Sequence, residues 1–288
     1  MIKNNLPSNL PSYYDLQYFL EVSNTKNVTR AAERLGITQP SLSASLKRLE
    51  TLLGTPLLIR KKTGVQLTPA GHYVSTRGRA LLQDWNGIRA KALNHTFDFA
   101  GRFSIGCHPS VARYALPSFL PKLLKNYPHI EISLEHDLSR NITEAVIQNQ
   151  IDFGIVVNPI PHLDLVLLEL CTDKVTVLDR SGKYSDTLIY DPNLLQSQVI
   201  LQKLLTLKIK FVRTITSSNL EVIRDLAEGG AGTAILPTRV AQHSKKKLKP
   251  PASDIPYLND HVCLAYRADS QKTAAAKIVI QTIKKAKI

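Results

Sequence analysis

Residues 27–71 read NVTRAAERLGITQPSLSASLKRLETLLGTPLLIRKKTGVQLTPAG, and the apolar spacing in this stretch predicts two short helices followed by a hairpin. The first helix is marked by apolar residues at helical intervals: Val28, Ala31, Ala32 and Leu35. Gly36 follows them and can adopt the left-handed conformation that ends a helix. We therefore expect a helix over residues 28–35, and its paired alanines favour close packing against a second helix.

The second helix is expected to begin directly afterwards. Thr38 is a good N-cap, and Pro40 falls in the first turn, where its missing N–H group costs nothing. An inner face of leucines follows before Gly54 ends the helix: Leu42, Leu46, Leu49 and Leu53. Two short helices joined by a tight turn that contains glycine predict a helix-turn-helix.

The outer face of this second helix is polar, and its residues are Gln39, Ser41, Ser43, Ser45, Lys47 and Arg48. Such a face fits a DNA major groove about 12 Å wide, in which a glutamine can pair with adenine through two hydrogen bonds. The pattern of this segment alone also allows a helical hairpin whose polar face is simply solvated.

The segment after the second helix is basic. Residues 57–60 and 65–68 read as two short strands around a Lys-Lys-Thr-Gly turn. A basic hairpin directly after a recognition helix is typical of a wing, which reaches phosphates or the minor groove. We expect Arg60, Lys61 and Lys62 to make these contacts.

The whole stretch resembles the DNA-binding signature of LysR-type transcriptional regulators. TRAAERLG, QPSLS, LKRLE, the LLIR of the wing and LTPAG occur in the order and spacing of that family. The resemblance implies phosphate contacts from Thr29 and Arg30 and base contacts from the start of the recognition helix. One position departs from it, because Ala44 stands where the family often has a long polar residue, so the target sequence cannot be copied from a relative. The predicted DNA-binding residues are Thr29, Arg30, Thr38, Gln39, Pro40, Ser41, Ser43, Lys47, Arg60, Lys61 and Lys62.

Residues 70–93 continue as a helix with an apolar heptad seam. Gly78 lies within this seam, and the predicted dimerisation residues are Val74, Leu81, Trp85 and Ile88. The pattern alone leaves open that the seam packs on its own domain. The resemblance favours a linker helix that pairs two chains into a homodimer or homotetramer.

From residue 101 onward, strands and helices alternate, which predicts a largely parallel sheet covered by helices. This half resembles the LysR effector domain, itself like a periplasmic binding protein. We expect an α/β fold with an all-α-type amino-terminal module: a winged helix-turn-helix at 1–68, a linker and dimerisation helix at 69–97 and a two-lobed effector domain at 98–288. Lobe 1 is expected at about 98–160 plus 258–288, and lobe 2 at about 161–257.

Ligands of α/β sheets bind beyond the carboxyl ends of the strands, where helix N-termini present N–H groups. Each serine at these points, taken alone, is better explained as a plain helix cap. Together they predict a pocket for a small-molecule effector that is suited to a small carboxylate or other anion. The predicted effector-binding residues are Pro109, Ser110, Val111, Ser139, Val157, Tyr190, Ser217, Ser218 and Pro237.

Net charge and the motifs that are missing narrow the function. The formal charge is +14, and residues 1–100 carry 13 basic and 6 acidic side chains, so half of the excess lies in the first third of the chain and favours a polyanionic partner. The SKKKLK run at 244–249 reads as a solvated loop. No phosphate-binding, dinucleotide, zinc-protease or nucleophile-elbow motif occurs, so we predict no catalytic residues, no metal, no cofactor and no enzyme activity.

The chain begins without a signal-peptide pattern and lacks an apolar run of membrane-spanning length, so we expect a cytoplasmic protein without a membrane partner. Cys107, Cys171 and Cys263 form no disulfide or metal motif and read as small apolar strand residues.

The resemblance implies double-stranded promoter DNA and RNA polymerase as partners, with effector closure altering a DNA bend. Two alternatives remain, a ligand carrier like the solute-binding proteins and a non-specific architectural DNA-binding protein.

Overall fold

The computed structural model describes residues 11–61, 64–93 and 99–288. These residues divide into two compact units, one formed by residues up to 101 with the short segment 148–150, and one formed by the remainder. Within the described residues, no helix is long and apolar enough to cross a membrane.

The first unit is a winged helix-turn-helix followed by a long helix. Its elements are α1 (Tyr13–Thr25), α2 (Val28–Leu35), α3 (Gln39–Leu53), β1 (Leu58–Lys61), β2 (Gly64–Leu67) and α4 (Pro69–Leu93). Gly36 and Gly54 end α2 and α3 in the left-handed conformation, and the Thr38 side chain caps α3, as the sequence predicts.

The wing strands differ by one residue from the predicted 57–60 and 65–68. Leu57 is fully buried, and its N–H group donates to the Glu50 carboxylate instead of to a strand. Thr68 leaves the hairpin because its hydroxyl accepts from the Gly71 N–H group and so caps α4. The wing is therefore the four-residue pair 58–61 and 64–67, paired antiparallel.

The core of the first unit lies where α1, α2 and α3 meet the wing. Ala31 and Ala32 are buried there, in agreement with the predicted close helix packing. Leu53 does not join the predicted inner face and is exposed, because the last turn of α3 extends beyond the core. The buried apolar residues of this core are Phe19, Leu20, Val22, Ala31, Ala32, Leu42, Leu46, Leu49, Leu57 and Val65.

The second unit alternates strands and helices. Its elements are β3 (Gly101–Cys107), α5 (Pro109–Asn126), β4 (Ile130–His136), α6 (Ser139–Ile147), β5 (Phe153–Val157), β6 (Leu165–Leu178), β7 (Thr187–Tyr190), α7 (Leu195–Thr206), β8 (Arg213–Thr216), α8 (Leu220–Gly229), β9 (Thr233–Pro237), α9 (Thr238–Ala241), β10 (Tyr257–Arg267), a 3-10 turn (Ala268–Lys272) and α10 (Ala274–Lys284). The sequence pattern did not reveal β6.

Among residues 99–288, eight strands form one sheet in the order β4-β3-β5-β10-β6-β9-β7-β8. β3 and β5 are parallel in the first lobe, and β7 is parallel to β8 and β9 in the second, as expected for strands covered by helices. The two middle strands, β6 and β10, are antiparallel to each other and to their outer neighbours. β10 pairs with β5 of lobe 1, and the end of β6 pairs with β9 of lobe 2. Because β6 and β10 also pair with each other along their length, these two strands cross from one lobe to the other.

Each lobe has its own apolar core. In lobe 1, α5 and α10 pack with β3, β5 and β10 around Phe119 and Phe153, while α6 covers the other face through Ile142 and Val146. In lobe 2, α8 packs on one face around Ile223, and α7 packs on the other around Ile200. The sheet therefore lies between helices in both lobes, which confirms the predicted two-lobed α/β fold.

Candidate DNA interface and effector cleft

The predicted DNA-binding residues lie on the surface of the first unit. Thr29, Arg30, Thr38, Gln39, Pro40, Ser41, Lys47, Arg60 and Lys61 are exposed, and Ser43 is half-buried. Lys62 lies outside the described residues. The first turn of α3 therefore presents small and polar groups to solvent together with the basic wing.

The start of α3 is organised by its own cap. The Thr38 hydroxyl accepts from the Ser41 N–H group at 3.3 Å and lies 2.8 Å from the Ser41 hydroxyl. These two hydroxyls satisfy one another, which leaves the longer Gln39 side chain as the group at this helix end best suited to reach a base edge. The partial positive charge at a helix N-terminus also favours an approaching phosphate.

Of the residues predicted on the outer face of α3, Ser45 is misplaced, whereas Arg48 is exposed as expected. Ser45 is buried, and its hydroxyl donates to the Asp15 carboxylate of α1. Arg48 donates to the same oxygen at 2.6 Å. Burial alone would raise the pKa of Asp15, but hydrogen bonds from Ser45, Arg48 and Ser12 hold it below its ordinary value. This carboxylate joins the recognition helix to α1.

The wing is held by side chains at its base. The Glu50 carboxylate accepts from the N–H groups of Leu57 and Leu58 at 2.7 and 3.1 Å. Gly64 lies against the carbonyl oxygen of Lys26, where a Cβ atom would stand 2.5 Å away, and its φ is +132°. Only glycine fits that position without displacement. The base of the wing is thereby anchored on α3, and the end of the hairpin near its turn lies against the carbonyl that follows α1.

The predicted dimerisation seam on α4 divides into two parts. Val74 packs on the winged-helix core, and Gly78 lies directly against Leu16 of α1. Leu81, Trp85 and Ile88 are each more than half exposed. The first part packs on its own domain, and the second part is available to another surface. The exposed Tyr73 is a further apolar residue on α4 that the seam prediction missed.

A cleft of about 590 Å³ lies between the two lobes of the second unit. Five of the predicted effector-binding residues line it, namely Ser110, Val111, Ser139, Val157 and Pro237. The structure brings them together because β3, β5 and β9 end at this edge of the sheet and α5 and α6 begin there.

Pro109, Tyr190, Ser217 and Ser218 are not among the residues lining this cleft. Asn219, not a serine, caps α8, and its side chain accepts from the Val222 N–H group. The Ser217 hydroxyl accepts from the Asn219 N–H group within its own loop. At this helix the cap residue was thus misplaced by one or two positions.

The two serines at the cleft already have partners. The Ser110 hydroxyl donates to Glu221 of α8 at 3.1 Å, and Arg113 lies 3.7 Å from the same carboxylate. These contacts join lobe 1 to lobe 2 at one end of the cleft. The Ser139 hydroxyl accepts from the Val157 N–H group at 3.0 Å.

The sequence analysis missed the polar floor of the cleft. Asp173 of β6 and Asp260 of β10 line it, as do Asn158 and Gln196. Asn158 donates to Asp260 at 2.8 Å, and Gln196 donates to both of its oxygens at 3.0 and 3.1 Å. Asp173 stands between Thr172 and Lys174 in a strand that the sequence analysis did not predict, so no local pattern marked it as a cleft residue.

Family models match almost the whole chain. The model described as bacterial regulatory helix-turn-helix protein, lysR family, matches residues 13–72. The model described as LysR substrate binding domain matches residues 98–287. The chain belongs to the LysR family of transcriptional regulators. It is a DNA-binding regulator with an effector-binding domain, and the family consists of regulators, not enzymes.

Relatives of this LysR regulator are named HTH-type transcriptional regulators. HTH-type transcriptional regulator CzcR of Bacillus thuringiensis (strain Al Hakam) is 26% identical, with 98% of this chain and 97% of the relative covered. EstR of Acinetobacter baylyi is 29% identical over 61% of this chain and 59% of its own.

Solved structures share the fold. A full-length OxyR variant from Pseudomonas aeruginosa has a TM-score of 0.67 at 22% identity, covering 96% of this chain and 99% of its own. CbnR, a LysR family transcriptional regulator, has a TM-score of 0.59 at 19% identity, covering 95% and 98%. CbnR was also solved in complex with its target DNA, and that chain has a TM-score of 0.51 at 20% identity, covering 96% of this chain and 100% of its own.

The cysteines of this LysR regulator lie in the strands β3, β6 and β10, as small apolar residues do. Burial raises the pKa of Cys107 to about 12 and also raises the pKa values of Cys171 and Cys263. A raised thiol pKa lowers the fraction of reactive thiolate. No metal-binding group of three His, Cys, Asp or Glu side chains occurs in the part of the chain that the structure describes.

Proposed function

We propose that this LysR regulator reads promoter DNA with α3 and the wing and responds to a small molecule held in the cleft between its lobes. One observation supports this most directly. The chain carries both an exposed polar recognition helix with a basic hairpin and, in its other unit, a cleft large enough for a metabolite.

On the DNA side, Gln39 is the base-reading residue, with Pro40 and Ser43 beside it on α3. Thr29 and Arg30 at the start of α2 and the wing residues hold the phosphates. Their exposure supports this assignment, and it separates residues that specify sequence from residues that only position the protein. An architectural DNA-binding protein has no use for a metabolite-sized cleft.

Two chains pair through the exposed apolar side chains of α4, which are Leu81, Trp85 and Ile88. The dimer then carries two winged helix-turn-helix units for a DNA site with two-fold symmetry. Apolar side chains of this size rarely stay exposed at helical spacing without a partner. The resulting dimer, or a tetramer of two dimers, presents promoter DNA to RNA polymerase in the cytoplasm.

The effector acts through the two crossing strands. β6 and β10 belong to both lobes, so a ligand that closes the cleft changes how the lobes sit relative to each other. A ligand that binds the closed form more tightly shifts the population toward it. No group in this cleft is assigned a catalytic role, and the chain acts by binding alone.

Capture of fragments from the source genome tests this function. The purified full-length protein is mixed with genomic fragments at fixed, near-physiological salt, and the captured fragments are sequenced. A few promoters sharing an interrupted palindrome are expected. Uniform recovery of all fragments would instead support non-specific binding, and recovery of none would contradict the assigned reading head.

A further inference from the structure

Two buried carboxylates face each other on the floor of the cleft. Asp173 of β6 and Asp260 of β10 are directly paired in the antiparallel register, and their residues are only 8% and 5% exposed. Side chains in such a pair stand about 5 Å apart, and like charges there repel. Within the described residues, no Lys or Arg forms an ion pair with either of them.

Neutral donors satisfy only part of the hydrogen-bonding capacity of these two carboxylates. The three hydrogen bonds to Asp173, from the Thr238 hydroxyl and the N–H groups of Lys174 and Arg239, all end on Oδ1. Its Oδ2 atom is left for the cleft. Burial raises the pKa of Asp260, and the neighbouring Asp173 carboxylate raises it further.

The other described charged groups near the floor of the cleft form no ion pair with these two carboxylates. Arg239 stacks on the Tyr114 ring, 5.3 Å from its centroid, and donates to the carbonyl of Thr172. Around the cleft wall, the described ionisable side chains are the exposed Arg140, the carboxylate of Glu144 and the imidazoles of His108 and His162. Burial lowers the pKa of His108, which favours its neutral form. The described lining thus holds three carboxylates against one guanidinium.

The rest of the lining is mostly apolar. Ile160 from lobe 1 and Leu195 from lobe 2 stand at the cleft 81% and 71% exposed. Further apolar lining residues include Val111, Leu138, Val157, Leu194 and Val262. Exposed apolar groups on both lobes favour a ligand with an apolar body that both of them can cover.

We propose that the effector of this cleft carries a protonated amine on an apolar body, with the ammonium group between Asp173 and Asp260. This inference rests on the proposed effector function of the cleft and reverses the charge that the sequence predicted for the ligand. An ammonium group offers three N–H donors and no acceptor, so it supplies positive charge to both carboxylates and a donor to the Asp173 Oδ2 atom. A carboxylate ligand would add a like charge to a desolvated pair.

Asp260 also links such a ligand to lobe closure. Asn158, which donates to one of its oxygens, ends β5 in lobe 1, and Gln196, which donates to both, begins α7 in lobe 2. An ammonium bound to Asp260 therefore contacts a group that already connects both lobes.

Calorimetric titration of the full-length protein tests the inference with shape-matched probes of opposite charge: phenethylamine against hydrocinnamate, and hexylamine against heptanoate. At least one amine is expected to bind roughly tenfold more tightly than its carboxylate twin. Asp260→Asn is expected to remove most of that preference. Glu169→Gln, which removes a charge from the same strand pair outside the cleft lining, is the matched control and keeps it.

The inference is overturned if the carboxylates bind as tightly as the amines, if no amine binds at millimolar concentration, or if Asp260→Asn leaves amine binding unchanged. Binding of carboxylates alone would retain the cleft as an effector site and reject only the amine. Capture of specific promoters by the same preparation distinguishes a failed ligand inference from a failed regulatory function, because that capture requires no effector.

Discussion

The hydroxyl of Ser45 in the recognition helix donates a hydrogen bond to the carboxylate of Asp15 in α1. Both residues are buried, and Arg48 donates to the same carboxylate oxygen. The recognition helix is therefore joined to α1 by a buried hydroxyl on its inner side and by the exposed guanidinium of Arg48. The position of Gln39 therefore depends on Asp15, a buried residue that does not itself contact DNA.

Asp15→Ala is expected to lower the free energy of unfolding of the winged-helix unit by about 2 kcal/mol, because a buried hydroxyl and a guanidinium lose their acceptor. The pKa of Asp15 is held below its ordinary value of 3.8. Its stabilising contribution is therefore complete above that value and is lost as the pH falls through the lower folded-state pKa. Thermal melts from pH 2 to pH 7 measure this, with the exposed Glu33→Ala as control. An equal effect of both substitutions would contradict the structural role of Asp15.

Gln39→Ala is expected to reduce discrimination between the captured promoter and random DNA by roughly 1–3 kcal/mol, because the glutamine amide reads a base edge. Lys61→Ala is expected to weaken both duplexes alike and to reduce the salt slope by about 1, as loss of a phosphate contact does. Fluorescence anisotropy at several salt concentrations separates the two effects. Gln202→Ala, on the exposed side of α7, serves as the control. Equal losses on specific and random DNA for Gln39→Ala would reject base reading.

Trp85→Ser is expected to weaken chain pairing by roughly tenfold or more, since aromatic anchors dominate such interfaces. Sedimentation of the purified protein across a concentration series measures the change in oligomeric state. Leu205→Ser removes a similarly exposed apolar side chain from α7 and should leave the oligomer unchanged. If both variants, or neither, dissociate, α4 is not the pairing surface.

The cleft carboxylate Asp260 should affect the pH dependence of stability in the opposite sense to Asp15. Its folded-state pKa is raised above the ordinary 3.8, chiefly by burial. The stability linked to its protonation is therefore present below the ordinary value and is lost as the pH rises through the raised pKa. Without ligand, Asp260→Asn should flatten the fall in melting temperature between pH 4 and pH 8. A melting profile identical to that of the original chain would show that the carboxylate is not destabilised by its surroundings.

The helices of the winged helix-turn-helix were predicted from the sequence to within a few residues. Thr38, Gly36 and Gly54 act through caps and turns that involve only neighbouring residues, so local rules locate them correctly. The wing was misplaced by one residue because Glu50, on another element, captures the N–H group of Leu57. That contact joins two different elements, so it cannot be inferred from the spacing of residues within either one.

The cleft was only partly predictable. The ends of β3, β5 and β9 follow from the alternation of strands and helices, and residues such as Ser110 and Ser139 therefore reach the cleft as expected. The crossing strand β6 escaped detection because its polar and apolar residues do not alternate regularly. Without β6, the partner of β10 and the position of Asp173 could not be inferred.

By itself, the sequence determined most of the succession of helices and strands, the family and the exposed polar start of the recognition helix, because periodicity and caps act within a few residues of each other. Only the tertiary structure decided that Ser45 turns inward to Asp15 and that Asp173 stands opposite Asp260. Both facts depend on the register between elements far apart in the chain, which is set by how their cores pack and by no pattern within either element.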